Sequence, residues 1–300
     1  MRGNCLESNN SLISGKTVLY GVIGDPVDHT LSPAIQNVAF RSRQIDAIYV
    51  PFHVKPQNLR IAVSGLRALH VRGFNVTVPH KVKVLSYLDR TDAAVSAIGA
   101  ANTVINQNGR LCGYNTDGIG AFNALTEAGA QPNGKSILIF GAGGASRAVA
   151  YTLAQTASSI RLVNRTPAKA RQLANRLRKK FHTDIASTTL SSNLLRDLVE
   201  QSDIIVNASS MGMNRNSNLP VQAKWLHSGQ WVFDLVYKPP QTRLLDLAAS
   251  AGANRITGLD MLVNQGACSF KLWTGMEAPR VGMRHAVEQK LLEKEYAESS

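Results

Sequence analysis

Short apolar runs alternate with segments of helical periodicity along the first third of the chain. Residues 18–24 (VLYGVIG) and 48–54 (IYVPFHV) are typical of strands, a helix is expected after Pro33, and another is expected over 56–70. Residues 73–78 (GFNVTV) are extended again and stop at a proline. Strands separated by helices of this length predict a mainly parallel sheet covered on both faces.

Residues 101–115 interrupt this alternation. The Asn-Gly pair at 108–109 lies between two extended arms, and such a pair is the strongest short-range signal for a β-hairpin. A helix is then expected from 116–117 to Gly129, and QPNG at 131–134 has the composition of a linker. The pattern therefore predicts a change of domain near this linker.

The alternation restarts beyond the linker. Apolar runs typical of strands lie at 137–140, 160–164, 203–208, 231–236 and 255–257. Helices are expected between them, including a small-residue helix after the first run, a basic helix that contains 171–180 and a helix near 243–250. This repeated unit predicts right-handed crossovers and a doubly wound sheet. The tail is helical over about 259–273, and we expect the charged terminus after it to be frayed.

The composition fits a globular protein of two domains. The 300 residues exceed the usual size of a single core, and 44% of them are hydrophobic and 18% charged. Residues 1–16 lack the apolar core of a signal peptide, and no run approaches the roughly 18 to 20 apolar residues that span a bilayer. We therefore expect a soluble, cytoplasmic protein with no membrane partner.

The cysteines and histidines give no sign of a metal site. The three cysteines are scattered and form no CxxC pair: Cys5, Cys112 and Cys268. Neither a disulfide framework nor a thiolate zinc site is indicated. The histidines form no HExxH or comparable cluster, so we expect no catalytic metal.

The formal charge of +13 is compatible with nucleic acid, an acidic surface or anionic small molecules as partners. The densest basic stretch, 171–180, has helical spacing with its apolar residues on one side, which favours a solvated helix face. No aromatic residues are interleaved with these charges, and no zinc-finger or RNP-type motif occurs. We therefore expect no nucleic-acid partner.

The run ILIFGAGGASRAVAYTLA predicts a strand, a glycine turn and a helix that bind a dinucleotide. A tight turn needs Gly141, close approach of a pyrophosphate needs a residue without a side chain at Gly143, and the next amides lie at a helix N-terminus. Ser146 stands where glycine or alanine is usual. The alternative is a tight turn that binds no ligand.

The end of the next strand favours NADP(H) over NAD(H). NAD-binding folds usually carry Asp or Glu there, whereas this chain has Asn164, Arg165 and Thr166, with Lys169 one helical turn further on. A guanidinium and an ammonium attract a ribose phosphate that a carboxylate would repel. The alternative is that both cations are merely solvated.

Lys81 is the most unusual residue of the first half. GFNVTVPHKVK, residues 73–83, predicts a strand, a proline stop and a helix whose first turn carries Lys81, where a cation is disfavoured by the helix dipole. A carboxylate partner such as Asp117 would oppose that effect, and a Lys and Asp pair can transfer the proton of a secondary alcohol while hydride moves at the same carbon. The sequence does not show whether the two side chains meet.

Several polar residues of the first half have structural alternatives. Ser32 before Pro33 fits a helix N-cap, Asp117 can cap the helix that follows it, and Asn102 can close a turn. Thr30 and Ser32 flank one loop, for which capping is the more general explanation.

The chain resembles the shikimate and quinate dehydrogenase family from about Tyr20 to Trp273. The resemblance rests on separated motifs in the same order: GDP at 24–26 with HTLSP at 29–33, NVTVPHK at 75–81, ANT at 101–103, NTDG at 115–118, GAGGAS at 141–146, NRT at 164–166 and GLDMLVNQG at 258–266. One such motif is weak evidence, whereas the ordered set is specific.

The resemblance implies an N-terminal substrate domain and a Rossmann domain with a cleft between them, NADP(H) as cofactor, and reversible reduction of 3-dehydroshikimate to shikimate. The resemblance implies a first domain of residues 1–117 that is completed by helices in about 259–300, and a second domain of residues 118–258. Lys81 and Asp117 are the implied catalytic pair. The implied substrate-binding residues are Thr30, Ser32, Thr77, Asn102, Tyr237 and Gln265, together with Asp117. The implied cofactor-binding residues are Gly141, Ala142, Gly143, Gly144, Ala145, Asn164, Arg165, Thr166, Lys169, Leu235, Gly258 and Met261.

Two residues depart from the family pattern. Thr30 replaces the usual serine, which keeps the hydroxyl and adds a methyl group. Asp260 stands where many members have glycine, and it either alters access to the nicotinamide or caps the last helix.

Other activities stay open at this point. A quinate or dual-substrate dehydrogenase is the nearest alternative, and a catalytically silent NADP-binding sensor is a remote one. Oligomeric state is not readable from the sequence, and a homodimer remains open.

Overall fold

The computed structural model describes residues 13–214 and 216–299, and each half of the chain is built on one sheet. Among these residues the first sheet has six strands: β1 (Val18–Gly24), β2 (Ala47–His53), β3 (Gly73–Val76), β4 (Arg90–Thr91), β5 (Thr103–Gln107) and β6 (Arg110–Tyr114). Their order is β2-β1-β3-β5-β6-β4. The part β2-β1-β3 is parallel as predicted, whereas β5 pairs antiparallel with both β3 and β6.

The antiparallel part is the predicted hairpin. Its two-residue turn places Asn108 at φ 52° and Gly109 at φ 86°, the left-handed conformation that such a turn requires. The hairpin brings the segment before β5 back beside β3, which matters below because Asn102 lies in that segment.

The second sheet is entirely parallel. Within the part of the chain that the structure describes, its strands are β7 (Ser136–Phe140), β8 (Ser159–Val163), β9 (Asp184–Thr188), β10 (Ile204–Asn207), β11 (Trp231–Asp234) and β12 (Asn254–Ile256). The order β12-β11-β10-β7-β8-β9 confirms the doubly wound prediction. The strand order reverses between β7 and β10, and the carboxyl ends of these two strands are where such folds bind dinucleotides.

Helices cover the sheets. They are α1 (Ser32–Ser42), α2 (Leu59–Ala68), α3 (Ala93–Ile98), α4 (Asp117–Ala128), α5 (Gly144–Leu153), α6 (Pro167–Arg178), α7 (Leu195–Glu200), α8 (Arg243–Ser250), α9 (Gly258–Thr274) and α10 (Arg280–Ser299). One face of the second sheet packs on α4, α5 and α6, and the other packs on α7 and α8. Helix α9 returns to the first half, where Phe270 packs with Phe40 of α1.

The structure corrects two local predictions. The charged terminus is not frayed over its described part, because α10 packs against α1 and buries Met283 and Val287 completely or nearly so. Lys81 does not lie in the first turn of an α-helix: residues 79–82 form turns, and only a short 3₁₀ segment follows at Lys83–Tyr87. The sequence prediction also missed β4, α3, β9 and α7, which are short or lack strong periodicity.

Two remaining predictions concern the cysteines and the membrane. Cys112 and Cys268 are free thiols, and Cys5 lies outside the described residues. No helix in 13–214 or 216–299 is both long enough and apolar enough to cross a bilayer.

Candidate active site

Lys81 and Asp117 meet in the cleft between the two halves. The Lys81 Nζ donates to Asp117 Oδ2 at 2.6 Å, and the two side chains are only 15% and 4% exposed. The Ala101 amide donates to the Lys81 carbonyl oxygen at 2.8 Å and fixes the turn that carries the lysine. Because Lys81 lies in a turn, the expected conflict with a helix dipole does not arise, and its charge is balanced by a buried carboxylate instead.

Asn102 holds the other oxygen of Asp117. Its Nδ2 donates to Asp117 Oδ1 at 2.8 Å and lies 3.3 Å from Gln265 Oε1 of α9, while its Oδ1 accepts from the Thr116 amide at 2.8 Å. Asn102 therefore does more than close a turn. Asp117 is the first residue of α4 rather than its cap, and the N-cap Thr116 makes no capping bond through its side chain. Four predicted site residues thus form one bonded cluster: Lys81, Asp117, Asn102 and Gln265.

A second cluster gathers hydroxyl groups. Thr30 Oγ1 donates to Ser32 Oγ at 3.2 Å. Burial raises the pKa of Tyr237, although the Thr30 side chain lowers it in part, and the raised pKa keeps the phenol neutral. Ser32 is not an N-cap: Leu31 holds that position without a side-chain bond, and Ser32 begins α1. The hydroxyl of Ser32 is thus free of a capping role.

Thr77 lies just beyond the end of β3 and packs its methyl group on Gly24. A Cβ atom built on Gly24 would lie 2.4 Å from Thr77 Cγ2, so the glycine permits this close approach. The structure places Thr77 at the carboxyl edge of the first sheet, on the same side as Lys81.

The glycine turn after β7 fits a dinucleotide. Gly141 has φ 116°, which favours glycine, and a Cβ there would come within 2.9 Å of the Ala208 carbonyl oxygen at the end of β10. Ser146 Oγ donates to that same oxygen at 2.9 Å, which explains how a serine fits the sixth motif position. A Cβ built on Gly143 meets nothing within 4 Å, so the turn leaves open space where a pyrophosphate would approach.

Gly144 differs from Gly143 in what it faces. A Cβ built on Gly144 would lie 2.8 Å from Lys81 Cβ and 3.1 Å from Lys81 Cδ. The stem of the lysine therefore lies directly on the first residue of α5, and the glycine turn and the Lys81–Asp117 pair belong to one cleft.

The end of β8 presents cations to solvent. Asn164 Nδ2 donates to the Thr166 carbonyl oxygen at 3.0 Å, and Thr166 precedes α6, which starts with Pro167. The side chains of Arg165 and Lys169 are exposed at this helix start, and neither Asn164 nor Thr166 brings a carboxylate. This chemistry fits the 2′-phosphate of NADP(H).

The remaining predicted cofactor residues lie near the carboxyl end of β11. The Leu235 amide donates to the Asn207 carbonyl oxygen at 2.9 Å. A Cβ built on Gly258 would lie 2.5 Å from the Val236 backbone, so this glycine lets α9 start against the β11 loop. Met261 is buried in the core of the second half.

Asp260 caps α9. Its carboxylate accepts from the Thr257 amide at 3.0 Å and from the Thr257 hydroxyl at 2.7 Å, and it pairs with Arg284 of α10. Burial raises the pKa of Asp260, but the bonds from Thr257 and Arg284 outweigh that effect and the net shift is downward. The carboxylate is thus engaged with the helix end.

Sequence reasoning missed the buried polar residues that support the cluster. Three of these residues lie within the family motifs: Asn75, Thr103 and Thr116. Tyr49 and Ser269 lie outside these motifs. Within 13–214 and 216–299, no group of three or more His, Cys, Asp and Glu side chains is arranged to hold a metal ion.

Comparison with known families agrees with this geometry. Three family descriptions match in order: the shikimate dehydrogenase substrate binding domain over 22–104, shikimate / quinate 5-dehydrogenase over 124–228, and the shikimate 5'-dehydrogenase C-terminal domain over 258–288.

Individual relatives match over nearly the whole chain. A shikimate dehydrogenase (NADP(+)) of Moorella thermoacetica is 43% identical over 281 residues, covering 93% of this chain and 95% of the relative. One of Pyrococcus furiosus is 47% identical over 266 residues, covering 89% and 93%. A crystal structure of a shikimate dehydrogenase in complex with NADP+ superposes with a TM-score of 0.87 at 41% identity, covering 94% of this chain and 98% of the other.

Proposed function

The chain belongs to the shikimate dehydrogenase family, and on that premise we propose that Lys81 and Asp117 carry the proton transfer of its reaction. The activity is that of an NADP-dependent shikimate dehydrogenase, an oxidoreductase of aromatic amino-acid biosynthesis. It interconverts 3-dehydroshikimate and shikimate. The observation that carries the proposal is the 2.6 Å contact between Lys81 Nζ and Asp117 Oδ2 beside the glycine turn.

Lys81 Nζ gives the proton to the substrate oxygen when the ketone is reduced and takes it back when the alcohol is oxidised. Asp117 holds the amine in place and balances its charge, while Asn102 fixes the carboxylate through its second oxygen. General acid and base catalysis of this kind contributes about 10²- to 10⁴-fold. The low exposure of the pair supports this role, because water competes poorly for the proton there.

The other polar groups are proposed to bind the substrate. Thr30, Ser32 and Tyr237 offer neutral hydroxyl donors for a carboxylate at one end of the site. Thr77, Asn102 and Gln265 offer a hydroxyl and two amides for the substrate hydroxyl groups at the other end. The separation of a hydroxyl cluster from an amide and carboxylate cluster supports a substrate with unlike ends.

The cofactor, when bound, supplies or accepts the hydride. Arg165 and Lys169 are proposed to hold its ribose phosphate, and Asn164 and Thr166 to line the same edge. The turn is proposed to bind the pyrophosphate through Gly141, Ala142, Gly143, Gly144 and Ala145. Residues proposed beside the nicotinamide are Leu235, Gly258 and Met261.

Three further statements remain proposals. The first domain is taken as 1–117 with about 259–300, and the second as 118–258. The second proposal is a homodimer, for which size-exclusion chromatography with light scattering would give about twice the monomer mass of 32.4 kDa. We propose a cytoplasmic location, which the role in biosynthesis supports and which fractionation of the producing cells tests.

The test of the function is a four-way assay. The absorbance of reduced cofactor is followed with shikimate and with quinate, each with NADP+ and with NAD+. We expect the highest kcat/KM with shikimate and NADP+. A higher kcat/KM with quinate would replace this function with the quinate alternative, and no turnover with any pair by correctly folded protein would leave only the sensor alternative.

A further inference from the structure

The loop 235–241 (LVYKPPQ) connects β11 to α8 and carries two residues that are proposed above to bind different ligands. Leu235 is proposed beside the nicotinamide, and Tyr237 is proposed at the substrate carboxylate. Leu235 packs against the core of the second half, whereas Tyr237 packs against the core that α1, α9 and α10 form on the first sheet. One short loop therefore reaches from the second half of the molecule to the first.

A buried hydrogen bond joins the two ends of this loop. Asp234, the last residue of β11, comes directly before the loop, and Thr242, the N-cap of α8, comes directly after it. Thr242 Oγ1 donates to Asp234 Oδ2 at 2.7 Å, and the two residues are only 1% and 0% exposed. Because both ends are held, fewer conformations are open to the residues between them.

The other oxygen of Asp234 holds the start of the loop. Asp234 Oδ1 accepts from the Val236 amide at 3.0 Å and from Asn207 Nδ2 of β10 at 2.9 Å. The Leu235 amide in turn donates to the Asn207 carbonyl oxygen at 2.9 Å. Val236 lies between Leu235 and Tyr237, so the carboxylate fixes the backbone that carries both side chains.

We propose that Asp234 and Thr242 are positioning residues that fix the loop 235–241 and thereby hold Tyr237 where it binds the substrate carboxylate. The inference rests on the proposed function, which takes Tyr237 as a substrate-binding group. The competing explanation is that Thr242 only caps α8, because its Oγ1 also accepts from the Leu245 amide at 3.4 Å.

The variant Thr242→Val keeps the shape of the side chain and removes the hydroxyl. Asp234 Oδ2 then loses the donor that ties it to the end of the loop. We expect the KM for shikimate to rise about five- to tenfold, the effect of roughly one neutral hydrogen bond. The dissociation constant of NADP+ should stay nearly unchanged, because its phosphates are proposed to bind at the glycine turn and at α6.

Two further variants separate this effect from the loss of a hydroxyl in general. Thr242→Ser restores the hydroxyl and should recover most of the loss in KM. The matched control is Thr183→Val. Thr183 Oγ1 donates to the carbonyl oxygen of Ala154 at the C-terminal end of α5, so it also joins two segments of the second half, but away from the glycine turn and the loop 235–241. Thr183→Val should therefore leave the KM for shikimate and the affinity for NADP+ unchanged.

A double-mutant cycle decides whether Thr242 acts through Tyr237. If it does, Thr242→Val in the Tyr237→Phe background adds little to the rise in KM that Tyr237→Phe causes alone. Fully additive effects on KM would overturn the proposal. Thermal unfolding is followed in parallel, and a lower melting temperature of Thr242→Val with an unchanged KM would leave Thr242 only its role as a helix cap.

The outcomes distinguish this inference from the function on which it rests. No turnover by the wild-type chain defeats the proposed function, whereas normal wild-type turnover with an unchanged KM in Thr242→Val defeats only the positioning role. Should Thr242→Val fail to fold, Thr242→Ala removes the same hydroxyl with a smaller side chain, and a KM for shikimate that stays at the wild-type value there overturns the proposal.

Discussion

Lys81 and Arg165 are both cations of the candidate site, but the protein holds them in opposite ways. Lys81 is paired with a buried carboxylate that Asn102 also holds, and its stem lies on Gly144. Arg165 is exposed at the start of α6, beside a turn in which Gly143 faces open space. On the proposed substrate side of the cleft the side chains are already hydrogen-bonded to one another. The proposed cofactor side offers exposed cations and open space instead.

The difference follows from what each side has to do. A proton donor must already lie where charge develops, because reorganisation during the reaction would raise the barrier. A phosphate brings its own charge and acceptor oxygens, so exposed cations can close on it as it binds. Changes on the substrate side should therefore affect kcat or substrate KM, and changes on the cofactor side should affect affinity for NADP+.

The largest expected effect comes from Lys81→Ala. Removing the amine takes away the proposed proton donor and leaves Asp117 without its cation, so we expect kcat to fall about 10²- to 10⁴-fold. The dissociation constant of NADP+, measured by fluorescence titration, should change little. Lys83→Ala is the matched control, since Lys83 is an exposed lysine two residues away, and it should keep both values. An equal loss of NADP+ affinity in Lys81→Ala would contradict the separation of roles between the substrate side and the cofactor side.

A second buried carboxylate, Asp234 at the end of β11, sharpens the contrast with Asp117. Asp117 faces an ammonium group, whereas the bonds to Asp234 come from neutral donors: Thr242, the Val236 amide and Asn207. Burial raises the pKa of Asp234 to about 6, although these bonds oppose the shift. A carboxyl whose pKa is higher in the folded than in the unfolded chain stabilises the fold at low pH and loses that contribution as pH rises.

We therefore expect Asp234 to cost stability between about pH 4 and pH 7. A rise from 3.8 to about 6 corresponds to about 3 kcal/mol at 1.36 kcal/mol per pH unit. The measurement is the free energy of unfolding by denaturant across this range, in the wild type and in Asp234→Asn. The wild type should lose stability relative to the variant as pH rises, and parallel curves would contradict the prediction.

Local rules explain why so much of this could be predicted from the sequence. The hairpin turn at 108–109, the glycine turn at 141–146 and the periodicity of most strands each depend on neighbouring residues, and these features were predicted, whereas β4 and β9 were not. The pairing of Lys81 with Asp117 depended on the family resemblance, because residues 36 positions apart meet only through the fold.

The residues that were missed or misread owe their roles to distant partners. Tyr49 finds Asn75 across 26 positions and Asn75 finds Ser269 across 194, and no short pattern marks either bond. Ser32 has the sequence of a cap, yet α1 starts one residue earlier than a serine cap would require. Local propensity therefore set the elements, while long-range contacts set the use of individual side chains.

Substitutions of two adjacent glycines, Gly143 and Gly144, are expected to have effects of intermediate size. Gly143→Ala places a methyl group at the proposed pyrophosphate site, and a cost of about 1–3 kcal/mol would weaken NADP+ binding about five- to 150-fold with a smaller change in kcat. Gly144→Ala pushes on the Lys81 stem instead, and we expect a comparable loss in kcat with nearly unchanged NADP+ affinity. For both variants, kcat is measured by the same rate assay and the dissociation constant of NADP+ by the same fluorescence titration.

The two variants also control for each other. Gly144 is the first residue of α5, and alanine is no worse a helix former than glycine, so a loss of activity there would not indicate a weaker helix. If both variants lost only cofactor affinity, Gly144 would belong to the cofactor side alone.

The smallest expected effect concerns Asp260, which lies in the sequence between the proposed cofactor residues Gly258 and Met261 but accepts hydrogen bonds from Thr257 at the start of α9. Asp260→Ala removes the acceptor for Thr257 and the partner of Arg284, and we expect the free energy of unfolding to fall by about 1 kcal/mol. Asp260→Glu, which keeps an acid at the third helical position, should recover part of it. The KM for NADP+ should be the same in all three proteins, because the carboxylate is already engaged with α9. A raised or lowered KM in Asp260→Ala with unchanged stability would instead place this carboxylate at the nicotinamide, and the boundary between the two sides of the cleft would move to include the start of α9.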